Sequence, residues 1–79
     1  MKMFYFVGGP KPGFTDEFFR RLNQIGGPPP NWKIYPHPVR DGKALHIVEA
    51  ESEHEILDHL RHFGDIYERG QIIEIVSRG

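Results

Sequence analysis

The chain opens on an apolar run, Met3-Phe4-Tyr5-Phe6-Val7, broken only by Lys2 before it. A continuous apolar run of that length predicts a central strand covered on both faces. Gly8-Gly9-Pro10-Lys11-Pro12-Gly13 is rich in breakers and predicts a loop. Thr15 then predicts a helix start, as a capping hydroxyl followed by Asp16 and Glu17 in the first turn, where acidic groups suit the helix dipole. Phe14, Phe18, Leu22 and Ile25 recur at helical spacing and form one apolar stripe. Gly26-Gly27 ends that helix, and Pro28-Pro29-Pro30 forbids its continuation.

Trp32 to Val39 predicts a second strand, placed at a sheet edge because Pro36 and Pro38 cannot donate to a ladder. Asp41-Gly42 predicts a two-residue hairpin turn into a third strand, Lys43 to Ala50. Ser52 and Glu55 have the spacing of a capping box before a second helix, whose inward residues are Ile56, Leu57, Leu60 and Phe63. Gly64 ends it, residues 65–70 connect, and Gln71 to Val76 predicts the last strand. The order β-α-β-β-α-β predicts one ferredoxin-like α+β domain over residues 1–79. Its four-stranded antiparallel sheet would carry both helices on one face.

Alternation then divides the strands between two faces. With Asp41-Gly42 as the turn, Arg40 faces Lys43, His37 faces His46 and Tyr35 faces Val48. Tyr35, His37, Val39, Ala44, His46 and Val48 would share the open face, joined by Met3, Tyr5 and Val7 and by Ile72, Glu74 and Val76. Trp32, Ile34, Leu45, Ile47, Phe4, Phe6, Ile73 and Ile75 would face the helices. An apolar patch of that kind is unusual on a monomer. Burying a few hundred Å² of it at roughly 25 cal/mol per Å² contributes several kcal/mol. The simplest cover is a second copy, giving a homodimer through the open sheet face.

Composition narrows the classes of function. The absence of cysteine excludes disulfides, thiolate metal sites and a cysteine nucleophile, and is compatible with the cytoplasm. Ten basic residues are scattered among eleven acidic ones, without the basic stripe of a nucleic-acid binder or the cluster of an electrostatic membrane anchor. The apolar N-terminal run is too short for a signal peptide or a membrane span. The glycine-proline loop lacks the glycine spacing and Lys-Ser/Thr ending of a phosphate loop. The third strand lacks the stacking aromatics of an RNA-recognition domain. With only Ser52 and Ser77 present, no Ser-His-Asp arrangement can be argued.

The run Gly26-Gly27-Pro28-Pro29-Pro30-Asn31-Trp32, the strand Ile47-Val48-Glu49-Ala50-Glu51-Ser52, the Phe63-Gly64-Asp65 junction and the final Ile72-Ile73-Glu74-Ile75-Val76 together resemble a small domain-of-unknown-function family. That family is similar to the dimeric α+β barrel superfamily. The resemblance implies a ferredoxin-like protomer and a dimer whose two sheets face each other. In enzymes and in haem or ligand binders of the superfamily, each protomer's pocket lies between the sheet and its surroundings. The chain departs from the family pattern at Phe63, where a Trp is usual, at His59, where an apolar or aromatic residue is usual, and at Arg69-Gly70, which resembles an insertion.

Two histidine groups carry candidate chemistry. His37 and His46, as a cross-strand pair, could hold a metal with Glu74 or a symmetry-related histidine. They could also supply a general base, with Tyr5 or Tyr35 as donor. The ordinary alternative is a pair of half-buried interface histidines. His54, His59 and His62 lie on the second helix near Glu55; the metal-clamp reading there competes with that of a solvated helix face. The favoured expectation is a homodimer that binds a small, largely apolar molecule, or acts as an accessory module, with Tyr5, Tyr35, His37, His46 and Glu74 lining the cavity. No cofactor is expected. The competing expectations are a cofactor-independent isomerase, cyclase or oxygenase using a cleft histidine as base, and a histidine-based metal-binding protein.

Overall fold

In the computed structural model, residues 1–40 and 43–76 are described, those from 36 to 40 by backbone alone. Strand β1 is Lys2–Pro10, helix α1 Thr15–Gln24, β2 Trp32–Arg40 and β3 Lys43–Ala50. Helix α2 is Glu53–Leu60, continued by a 3-10 turn at Arg61–Phe63, and two short strands follow, β4 Tyr67–Arg69 and β5 Ile73–Ile75. The strands form one antiparallel sheet in the order β2-β3-β1-β4, and β5 also pairs with β1. The protein is therefore a small α+β fold with an antiparallel sheet and two helices.

Parity in β1 sets the core. Phe4 and Phe6 are 4% and 1% exposed, whereas Tyr5 and Met3 on the other face are 36% and 39% exposed. Phe4 stands opposite Val48, and Phe6 opposite His46. Ala50, Ile56, Leu60 and Ile72 close the same cluster, so α2 lies over this face. Fully burying such a side chain is worth about 1.5–3 kcal/mol, and α2 holds its place through Ile56 and Leu60.

Helix α1 is different, because none of its residues is buried. Phe18 is its inward anchor, with its ring 4.9 Å from that of Phe63 and 5.8 Å from that of Tyr67. A second tie is ionic. The Arg21 guanidinium donates to both carboxylate oxygens of Asp65, at 2.7 and 3.1 Å, and to the His62 carbonyl at 3.2 Å. The helix stops where Gly26 and Gly27 take φ of +89° and +88°, a left-handed path that favours glycine.

Several sequence expectations are corrected. Gly8-Gly9-Pro10 is not loop but the end of β1, opposite Arg69, Glu68 and Tyr67. The connection at 65–70 therefore contains a strand, and the last strand is confined to Ile73–Ile75. Thr15 is not the cap of α1; Phe14 holds that position, without a side-chain cap bond. Ser52 does precede α2 but makes no side-chain cap bond either, and the Glu55 carboxylate accepts from the backbone N–H of Glu51 rather than of Ser52.

The largest correction concerns register. Arg40 stands opposite Lys43 as expected, but His46 stands opposite Ile34, and Val48 opposite Trp32 rather than Tyr35. The ladder is irregular between Tyr35 and Arg40, the stretch holding Pro36 and Pro38, which have no N–H to give. Tyr35 to Trp32 is a slip of three, and an odd slip exchanges the faces. Ala44, His46 and Val48 thus turn toward the helices with Trp32 and Ile34, while Leu45 and Ile47 turn to the open face. In β5, Ile73 and Ile75 stand opposite Tyr5 and Met3 and so belong to the open face, not the core. Ile72 is buried, and Glu74 stands opposite Phe4 on the helix side. The Asp41-Gly42 turn and the side chains of His37 and Val39 lie outside the described residues.

Candidate functional site

Because α1 leans on the body through one ring and one guanidinium, a gap remains beneath it. The space is a cavity of about 350 Å³ between α1, α2 and the helix-side face of the sheet. Its floor is Gly8 and Gly9 from β1, Ala44 and His46 from β3, and Trp32 and Ile34 from β2. Phe18, Phe19 and Leu22 of α1 form one wall, and His59, Leu60, Phe63 and Tyr67 the other.

Aromatic contacts fix the lining. His46 stacks on Phe6 with ring centres 4.6 Å apart and planes within 4°. Its Nδ1 lies 3.0 Å from the Ala44 carbonyl, so Nδ1 carries the hydrogen and donates it. Nε2 is then left as an acceptor in the neutral ring. Burial disfavours the charged imidazole and lowers the His46 pKa, outweighing the carbonyl bond that raises it. Trp32 stands edge-on to Phe6 at 5.8 Å and meets His59 at 4.7 Å. Partial burial lowers the His59 pKa too, and neighbouring His62 adds to the effect.

Tyr67 lies across Gly8. A Cβ built on Gly8 would sit 2.6 Å from the Tyr67 hydroxyl oxygen and 3.0 Å from two of its ring carbons. Only a glycine admits the ring there. Burial raises the Tyr67 pKa, so its phenol keeps its proton. Among the described residues, no hydrogen-bond partner meets that hydroxyl.

The rim is charged. Arg21 also donates from Nε to Glu17 at 2.9 Å, and Arg20 grips the same carboxylate at 2.7 and 2.5 Å. Hydrogen bonds from Arg20 and Arg21 bring the Glu17 pKa down to about 2, and Arg21 lowers that of Asp65. These groups stay ionised outside a lining that, among the described residues, contains no Lys, Arg, Asp or Glu.

Of the five residues expected to share a cavity, the four whose side chains are described do not come together. Tyr5 and Tyr35 are exposed on the open face, at 36% and 50%. His46 is 6% exposed on the opposite face, Glu74 is exposed at the β5 edge on that same side, and the His37 side chain lies outside the described residues. His59 is not simply part of a solvated helix face, since it meets Trp32; His54 and Asp58 do lie outward, 3.6 Å apart. Tyr67 escaped the sequence reading as a site residue, and His59 entered it only as part of a metal clamp on the second helix. The available signal was Gly8 in a run of strand, which often marks a close approach.

No family model matches this chain, and no curated protein or solved structure shows significant similarity to it. Among the described residues, no helix is long and apolar enough to cross a membrane, and no three His, Asp or Glu side chains gather as a metal site.

Proposed function

We propose that this protein binds a small, largely apolar molecule in the cavity between α1, α2 and the sheet. The cavity itself carries the reading: it is a half-open cleft lined largely by aromatic and aliphatic side chains, has a few directed polar groups, and its 350 Å³ falls at the compact end of the roughly 300–1,000 Å³ usual for ligand pockets. We further read the fold as ferredoxin-like, with β4 and β5 together taking the place of a fourth strand beside β1, and as a homodimer of the α+β barrel kind. The exposed apolar residues Met3, Tyr5, Tyr35, Ile73 and Ile75 support a second sheet as the cover of the open face. In this arrangement, ligand and partner use opposite faces of the sheet.

A titration with naphthalene and with cyclohexanol, followed on amide resonances and on the indole N–H of Trp32, tests the binding role. Saturable shifts clustered on Phe18, Trp32 and Phe63 are expected in the natural protein. Ala44→Leu from the floor and Leu22→Trp from the wall each fill the cavity and abolish those shifts while amide dispersion is kept. Unsaturable shifts, or equal binding by both variants, would defeat the proposal.

A second reading is favoured by the two neutral imidazoles at the cavity. His46 or His59 would act as base in a cofactor-independent isomerase, cyclase or oxygenase. It requires turnover that His59→Ala or His46→Phe removes while naphthalene still binds.

A further inference from the structure

The chemistry of the cavity also specifies what enters it, given the binding role above. Three observations bear on this. The described lining carries no ionised side chain, so an ion entering it would lose its hydration with no counter-charge in return. Aromatic rings line it: Phe18 in the α1 wall, and Trp32 in the floor, set edge-on to Phe6 and meeting His59. Flat rings are accommodated by such walls in stacked or edge-to-face contact, worth more than the area they bury. The third observation is the Tyr67 hydroxyl, over Gly8 at the cavity floor, with no protein acceptor among the described residues. No buried side-chain nitrogen or oxygen lacks a partner among the described residues, so water reaches that hydroxyl, and a ligand's acceptor would take the water's place.

We propose that the ligand is an uncharged, planar aromatic molecule carrying a hydrogen-bond acceptor, held between Phe18 and Trp32 with the Tyr67 hydroxyl donating to that acceptor. The neutral His46 and His59 rings are compatible with it and give an anion no positive charge to pair with. Arg20 and Arg21 of α1 are paired with Glu17 and Asp65, outside the lining.

Four probes separate the parts of the proposal: 2-methoxynaphthalene, naphthalene, 2-naphthoate at neutral pH, and cyclohexanol, each titrated into the full chain with the Trp32 indole signal as readout. The methoxy compound is expected to bind tightest, with 2-naphthoate at least about tenfold weaker because its carboxylate must be desolvated. Tyr67→Phe should weaken 2-methoxynaphthalene about fivefold, the loss of one neutral hydrogen bond, and leave naphthalene unchanged. Naphthoate binding as tightly as the ether would overturn the uncharged class. Cyclohexanol binding more tightly than the ether would overturn the planar class. Equal effects of Tyr67→Phe on ether and hydrocarbon, or no effect on either, would overturn the donor role. In each of those cases the cavity would still be a binding site. If no probe moves the Trp32 signal, this inference and the binding role fall together.

Discussion

Gly8→Ala offers the sharpest test of how the cavity floor is built. The added methyl would sit 2.6 Å from the Tyr67 oxygen and 3.0 Å from two ring carbons, well inside van der Waals contact. The ring is rigid and is flanked by Phe18 at 5.8 Å and Phe63 at 6.4 Å, so it can yield only toward α1 and into the cavity. Overpacking of this kind costs about 1–3 kcal/mol. Against it stands a gain of roughly 0.5–1 kcal/mol from replacing a strand glycine with alanine. The net loss centres on about 1 kcal/mol, which for a 79-residue chain corresponds to a fall in Tm of about 4–8 °C. Differential scanning calorimetry at fixed protein concentration measures it. A second arm isolates the cause: Tyr67→Phe removes the atom that clashes most, so Gly8→Ala should cost about 1 kcal/mol less in that background. An unchanged or raised Tm for Gly8→Ala, or strictly additive effects in the double variant, would refute the placement of Tyr67 over Gly8.

Three further outcomes are expected. Asp65→Asn takes away the carboxylate that holds Arg21, and amide hydrogen exchange should become several-fold faster across α1 with little change in α2; equal protection in both proteins would show that the ion pair does not hold the helix. The folded pKa values of His46 and His59 lie below 6.5, so the unfolded chain takes up protons first as the solution is acidified. Stability is therefore level above pH 6.5 and declines as the pH falls through 6.5 toward the folded values; urea midpoints should follow that course, with a shallower decline in His46→Phe, and a flat wild-type profile would contradict it. Ile73→Lys puts a charge on the open sheet face beside Tyr5 and should convert the proposed dimer to monomer in sedimentation velocity, while a wild-type chain that already sediments as a monomer would end the dimer proposal.

The helices and the parity of β1 were legible because their signals are redundant. Phe4 and Phe6 alternate with Tyr5 in a strand that needs one dense face, and Gly26-Gly27 before three prolines leaves a helix no way onward. The third strand was not legible, because both of its parities carry apolar residues. Leu45 and Ile47 read as the better core pair, yet the fold turns Ala44 to the helix side and buries His46 and Val48. A histidine is tolerated there because it lies flat on Phe6 and its Nδ1–H finds the Ala44 carbonyl. The register of β2 was hidden by two prolines, whose missing donors leave the ladder free to slip. Strand β4 carries no alternation at all in Tyr67-Glu68-Arg69; it is held by backbone pairing to Gly8, Gly9 and Pro10, which spacing alone does not reveal. The cavity was invisible for a similar reason. It is formed by residues far apart in sequence, and the Arg21–Asp65 tie that holds α1 to the body links positions 44 apart.

The two margins of the sheet bear on how molecules can meet. One margin is β2, interrupted by Pro36 and Pro38; the other consists of two three-residue strands, β4 and β5. Neither presents the long, unbroken row of amides and carbonyls on which another chain could template itself. Growth of the sheet from molecule to molecule into a ribbon or fibril is thereby discouraged at both sides. The proposed association by stacking of open faces would use neither margin, and would stop at two.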